Sequence, residues 1–212
     1  MAQQGKKLFL QKWGQRILLM AFCVAPGCAD SGKWREKLIS YIEGIQTLEA
    51  RFKEKGPQRE ASGRVFLKRP KSSQEYGKLK FVYDSPSGLV VVSRDGTVYV
   101  WNSRSNTLEE TPLSSTPLFV FMRSEVRLGD AAVEKALEEE EDEIHWTLSQ
   151  SEDTTGGGQS PQVRLSFQKE PLALKSWVIT DPTGNETEVS LENVKKGHAL
   201  GDQTFQKPSL KE

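Results

Sequence analysis

Between Gly63 and Asn102 the chain alternates apolar and polar positions in three runs. The first places Val65, Leu67 and Arg69 at every second position, and the second does the same with Leu79, Phe81 and Tyr83. A period of two puts each trio on one face of a β-strand. β-Branched and aromatic residues dominate these runs, and Pro70, Pro86 and Asp95-Gly96 punctuate them, as strands bounded by turns require. Asp95-Gly96 predicts a tight hairpin, because both residue types tolerate positive φ. Residues 88–93 are apolar on both faces and read as a fully covered strand. Residues 97–101 place Val98 and Val100 on one side, Tyr99 and Trp101 on the other.

The flanking segments extend the pattern. Trp34, Leu38 and Tyr41 or Ile42 recur at spacings of three and four, which predicts a helix over 34–43 with Ser31 as its N-cap and Gly44 ending it. Residues 46–55 alternate through Leu48, Ala50 and Phe52 and read as the first strand; 56–62 read as a polar turn. Residues 103–116 are loop-like, with room for a short strand near Leu108. Thr116-Pro117-Leu118-Phe119-Val120-Phe121-Met122 is a short helix, apolar all round, with proline well placed in its first turn. Its hydrophobicity fits a buried core helix.

Residues 131–143 predict a helix capped by Asp130, its Glu-rich end a solvated face. Residues 144–150 and 162–168 alternate as strands around a glycine-rich loop at 151–161. Residues 174–180 and 186–191 form a hairpin around Asp181-Pro182-Thr183-Gly184-Asn185. The tail from Val194, with Phe205 and Pro208, adds a last strand or packs on the sheet. The total is nine to eleven antiparallel strands, one early helix and one short apolar helix. That predicts a mainly β fold, a barrel or a strongly curved sheet.

One charge breaks the apolar face. Arg69 shares a side with Val65 and Leu67, so it must reach water or find a partner. At a strand end it can extend into solvent. Alternatively it stands at the rim of an apolar cavity and bonds to whatever closes it.

Composition narrows the class. The 212 residues are 27% charged and 36% apolar, which suits one globular domain plus a removable segment. Residues 1–29 have the build of a secretory signal peptide. Lys6, Lys7, Lys12 and Arg16 precede a short apolar core at 17–25, and small residues follow, placing cleavage before Asp30. The core is too short for a permanent membrane span. The remaining single domain, 30–212, has 25 basic and 29 acidic residues, a net −4, which argues against nucleic acid as a partner. Cys23 and Cys28 both leave with the leader. Ala25-Pro26-Gly27-Cys28 bears a faint likeness to an acylation signal, although proline and the missing leucine depart from it.

No catalytic constellation is visible. His145 and His198 are isolated in sequence, no serine sits in a nucleophile elbow, and no cysteine remains in the mature domain. Gly156-Gly157-Gly158 is not followed by the Gly-Lys-Ser/Thr of a phosphate loop. The reading is a binding protein without a cofactor.

The ordered pieces Gly63-x-x-x-Leu67-Lys68-Arg69-Pro70, Lys78-Leu79-x-Phe81-x-Tyr83, Ser93-Arg94-Asp95-Gly96, Val98-Tyr99-Val100-Trp101-Asn102 and Thr116-Pro117-Leu118-Phe119 resemble the LolA family of periplasmic outer-membrane lipoprotein carriers. The likeness spans residues 34–123; the acidic 138–143 stretch departs from the family pattern. The resemblance implies an incomplete antiparallel β-barrel, covered by helices and enclosing an apolar cavity. It implies that Arg69 donates hydrogen bonds to lid carbonyls near 118–122 when the cavity is shut. Phe52, Val65, Leu67, Phe81, Tyr83, Leu118, Phe119, Phe121 and Met122 are then the lipid-facing residues. The implied partners are acylated lipoproteins, an inner-membrane Lol transporter as donor and the receptor LolB as acceptor, with the carrier a monomer. The same fold also resembles membrane-anchored LolB-like receptors, which would need an acylated Cys28. It resembles lipoprotein-sensing regulators too, but these need a second domain, for which little chain remains after Leu200. A purely structural interaction protein would instead pack its interior shut with its own side chains.

Overall fold

The computed structural model describes residues 31–116, 119–129, 132–150 and 160–208. The first helix, α1 (Ser31–Gly44), leads into three strands, β1 (Thr47–Lys55), β2 (Glu60–Lys68) and β3 (Lys78–Ser85). Then come β4 (Leu89–Arg94), β5 (Thr97–Asn102), β6 (Thr107–Pro112) and a short helix α2 (Phe119–Met122). The second half supplies β7 (Ala132–Glu139), β8 (Glu143–Gln150), β9 (Gln162–Gln168), β10 (Ala173–Thr180) and β11 (Glu186–Lys196), followed by a 3-10 turn at Asp202–Phe205.

All eleven strands form one antiparallel sheet in the order β6-β5-β4-β3-β2-β1-β11-β10-β9-β8-β7. Two meanders are thus joined where the first strand pairs with the last. The edges β6 and β7 do not pair with each other, so the curved sheet is an unclosed barrel.

The alternation read from the sequence sets the concave face. Leu48, Ala50, Phe52, Val65, Leu67, Leu79 and Phe81 are buried there, with Trp146, Leu165, Phe167 and Trp177 from the second meander. The register stacks them in layers across β1, β2 and β3: Leu48–Leu67–Leu79, then Ala50–Val65–Phe81, then Phe52–Gly63–Tyr83. Helix α1 lays Leu38 and Ile42 on this core, and Tyr41 meets Phe167 edge-on at 5.8 Å. Ser31, expected as a cap, is already helical. The Asp95-Gly96 turn has φ of 51° and 79°, the positive pair that a tight hairpin between β4 and β5 demands. Asp181 organises the β10–β11 turn by accepting from the Thr183 and Asn185 amides at 2.8 and 3.0 Å.

Three expectations are corrected. Within the 131–143 segment, Ala132–Glu139 is a strand and 140–142 turn into β8, where a helix was expected. Alanine, leucine and glutamate favour a helix locally, but pairing with β8 along Ala132–Gln150 to Glu139–Ile144 outweighs propensity. Its proposed cap, Asp130, lies outside the described residues, as does the 151–159 part of the glycine-rich loop. Its glutamates at 138–141 are exposed, as a solvated charge run should be. Strand β4 is not fully covered: Leu89, Val90 and Val91 are half-buried, because the barrel is open beside β5 and β6. Finally, the polar turn read over 56–62 is shorter than expected, since β2 already starts at Glu60, whereas the short strand allowed near Leu108 is present as β6.

The tail packs on the sheet and adds no further strand among the described residues: Val194 continues β11, and Asp202–Phe205 lies against the convex side of β3 and β4. Phe205 is fully buried against β3 and β4. Asp202 sits between Lys68 and Lys78 at 3.0 and 2.9 Å, whose hydrogen bonds pull its carboxyl down to about 2. Lys207 reaches Glu110 at 2.6 Å and lies 4.4 Å above the Tyr99 ring.

Helix α1 is tied to β7 by a two-pronged ion pair, Arg35 Nε and Nη2 to Glu134 at 2.8 and 2.7 Å, and Trp146 Nε1 donates to the same carboxylate at 2.9 Å. The Arg35 hydrogen bond holds Glu134 below the ordinary carboxylate value of 4.5 despite partial burial. A depressed folded value means the contribution is complete above about 4.5 and is lost as pH falls through the folded value. The stability advantage of the native protein over Glu134→Gln, measured by urea unfolding, is therefore expected at pH 7 and should shrink progressively below about pH 4.5.

Candidate lipid site and its closure

The concave face narrows to an apolar pocket lined by Ile45, Leu48, Val65, Leu67, Leu79, Phe121, Leu174, Trp177 and Leu191. The centre of a water-sized sphere can reach only about 20 Å³ of it. That is room for roughly one water and for no acyl chain. Among the described residues, this pocket is thus filled nearly shut by the chain's own side chains, the outcome set above for a purely structural protein. The element that shuts it is helix α2. Its Phe121 ring lies 5.8 Å from Trp177, which lies 6.4 Å from Phe81, and Met122 is wholly buried.

Four residues cannot hold a helix by internal hydrogen bonds, so α2 depends on outside anchors. Arg69 supplies the main one. It is 4% exposed and does not reach solvent. Its Nη2 donates to the carbonyl of Arg123 and, at 3.1 Å, to that of Ser124. The expectation was lid carbonyls near 118–122; the acceptors are the two residues just past the helix. Burial lowers the guanidinium from its ordinary value, and the charge of Glu43 partly offsets this. Two further anchors flank it. The Gly77 amide donates to the Met122 carbonyl at 2.9 Å, and the Val126 amide donates to Glu43 Oε1 at 2.9 Å. Gly77 allows this close approach: a Cβ there would lie 3.0 Å from Met122 Cα and would push the end of α2 back by a few tenths of an ångström.

Nearly all the residues expected to face lipid converge here. Phe52, Val65, Leu67, Phe81, Tyr83, Phe121 and Met122 belong to one buried cluster. Phe119 lies in α2 with its side chain outside the description, and Leu118 lies outside the described residues. Sequence reasoning missed Trp177, Leu174, Leu191, Ile45, Gly77 and Glu43. Trp177 lay on a strand already recognised, so alternation offered a signal. The roles of Gly77 and Glu43 come from contacts with distant residues and leave no local pattern.

Beyond the pocket, Phe52 packs edge-on against Phe81 and Tyr83, each at 5.1 Å between centroids. Gly63 makes this possible: a Cβ there would lie 2.1 Å from the Val82 carbonyl oxygen and 2.8 Å from Phe52 Cε1. The Tyr83 hydroxyl donates to Glu54 Oε2 at 2.6 Å, and Arg59 lies 3.4 Å from Glu54 Oε1. Desolvation, reinforced by the Glu54 charge, pushes the Tyr83 hydroxyl far above its ordinary value. Among the described residues, no cluster of three or more histidine, cysteine or carboxylate side chains is placed to hold a metal ion, and no helix is long and apolar enough to cross a membrane.

The geometry is thus an open antiparallel barrel with an apolar concave face, filled by a short helix anchored on a buried arginine. The chain belongs to the family of outer membrane lipoprotein carrier protein LolA, whose pattern matches residues 43–208. Two solved structures share the fold at 10% identity. One, described as an outer membrane lipoprotein-sorting protein domain from Vibrio parahaemolyticus, aligns over 83% of this chain and 94% of its own with a TM-score of 0.52. The other, a DUF1329 family protein from Desulfovibrio piger, aligns over 86% and 98% with a TM-score of 0.50. No curated protein is significantly similar in sequence.

Gly63→Ala tests whether the aromatic layer is as tightly set as its geometry indicates. The added methyl must displace backbone or the Phe52 ring, so a loss of about 3 kcal/mol in denaturant-unfolding stability is expected.

Proposed function

We propose that this protein is a soluble periplasmic carrier that takes up the acyl chains of lipoproteins leaving the inner membrane and passes them to an outer-membrane receptor. The single observation that carries this reading is the way α2 fills the pocket: its anchors are a few polar contacts, while what it covers is a continuous apolar face. Exposing one long acyl chain to water costs on the order of 10 kcal/mol at about 0.8 kcal/mol per CH₂. Against that stand the plug's hydrogen bonds to a charged donor, about 1.5–3 kcal/mol each, and the burial of Phe121 and Met122, about 1.5–3 kcal/mol each, so two acyl chains suffice to displace it. Family membership supports cargo of this kind.

Closure and cargo then occupy the same space. The plug covers the apolar face when the carrier is empty, and its return assists release without a nucleotide. Arg69 is the latch, and Phe121 and Met122 are the plug. Phe52, Val65, Leu67, Phe81 and Tyr83 form the wall, with Leu118 and Phe119 completing the lid. Residues 1–29 serve as the leader that brings the chain to the periplasm, with an inner-membrane Lol transporter as donor and LolB or its equivalent as acceptor.

Purified protein lacking residues 1–29 is expected to bind a diacylated lipopeptide stoichiometrically; absence of binding would leave the packed interior as a structural core. In Arg69→Leu, which cannot satisfy the Arg123 and Ser124 carbonyls, transfer of bound lipopeptide to acceptor vesicles should slow by about tenfold or more. Arg69→Lys, with its charge kept and its fork lost, should be intermediate. Equal stopped-flow transfer rates in all three proteins would remove Arg69 from the mechanism.

A further inference from the structure

The layers on the concave face do not end in more hydrocarbon. After Phe52–Gly63–Tyr83, the next inward position on β1 is Glu54, paired with Ala61. It is only 9% exposed, although it carries a carboxylate. The Tyr83 hydroxyl and Arg59 are its partners. On its other side Glu54 lines a polar cleft of about 500 Å³ with Lys53, Glu60, Ser62 and Glu188. Glu54 therefore stands at the boundary between the dry interior and wet surface, at the end opposite Arg69.

We infer that the Glu54–Tyr83 pair, set above the Phe52–Phe81–Tyr83 aromatic layer, is the floor of the acyl site and fixes the longest chain the protein can fully bury. The inference rests on the carrier reading and adds a specificity determinant to it. The physical reason is asymmetric. At the Arg69 end the pocket is filled by a removable segment. At the Glu54 end it is filled by strand residues in fixed register, whose rings interlock edge to face. A methylene chain offers no hydrogen bond, so it cannot replace the Tyr83 hydroxyl at the carboxylate. Pushing past would leave a desolvated charge without its partner. The wall from Leu67 to Ala61 spans about 20 Å at roughly 3.3 Å per residue, and this sets the depth available.

The test uses lipopeptides with saturated diacyl chains of increasing length, bound to the protein lacking residues 1–29. Affinity should rise about fourfold per added CH₂ while the chain lengthens within the site. It should then stop rising at one length. Glu54→Ala/Tyr83→Phe removes the carboxylate and the hydroxyl together, so neither is left buried and unpaired, and Arg59, half exposed, can turn to water. In this variant the plateau is expected to move to chains longer by at least two carbons. A plateau at the same length, with short chains still bound, overturns the floor and leaves the carrier reading intact. No binding at any length by the unsubstituted protein overturns both. An independent reading needs no substitution: with a probe of plateau length carrying a ¹³C-labelled terminal methyl, nuclear Overhauser contacts to the Phe52 and Tyr83 rings are expected. Contacts confined to residues at the Arg69 end overturn the floor.

Discussion

An ionised group with 4% of its surface exposed is the constraint around which this molecule closes. Arg69 cannot lose its charge, and an apolar face offers it nothing, so its acceptors must be brought to it. They come from carbonyls 54 and 55 residues further along the chain. Pairing its Nη2 with these carbonyls ties down the segment after α2, next to Met122 and Phe121, while Nη1 stays buried without a partner. In the carrier reading this contact is the main one of three anchors that hold the interior shut.

The packing around that contact follows from register. Two glycines act where a side chain would crowd an approach: Gly77 beneath Met122, and Gly63 beneath the Phe52 ring. Both work by what they omit. The convex face is secured separately, by Phe205 between β3 and β4 and by Asp202 between two lysines, so the tail braces the first meander without entering the apolar interior. The second meander is braced at its far edge by Arg35 and Glu134. Rigid walls and a separately anchored plug result.

A self-filled pocket also resolves a conflict that faces any carrier of hydrocarbon. A large empty apolar cavity invites aggregation, whereas a permanently packed one binds nothing. In the carrier reading the plug occupies the space that cargo needs, and the observed affinity is the difference between two burials rather than the whole of one. The few anchors on α2 are what keep that difference adjustable.

The alternation over 46–102 determined the first five strands and the buried faces of β1, β2 and β3, and Asp95-Gly96 determined the turn between β4 and β5. Period-two burial and positive-φ residues are local properties that survive in a bare sequence. The motif order from Gly63 to Phe119 carried the family. The sequence could not choose between an exposed and a latched Arg69, because that depends on carbonyls more than fifty residues away. It read 131–143 as a helix, because Ala, Leu and Glu favour one when no partner strand is considered. Pairing with β8 and the Glu134 contacts to Arg35 and Trp146 reversed that preference. Tertiary structure also decided that Trp177 meets Phe121, that Gly77 receives Met122 and that Glu54 ends the apolar wall. Each of these joins segments that the barrel, not the local sequence, brings together.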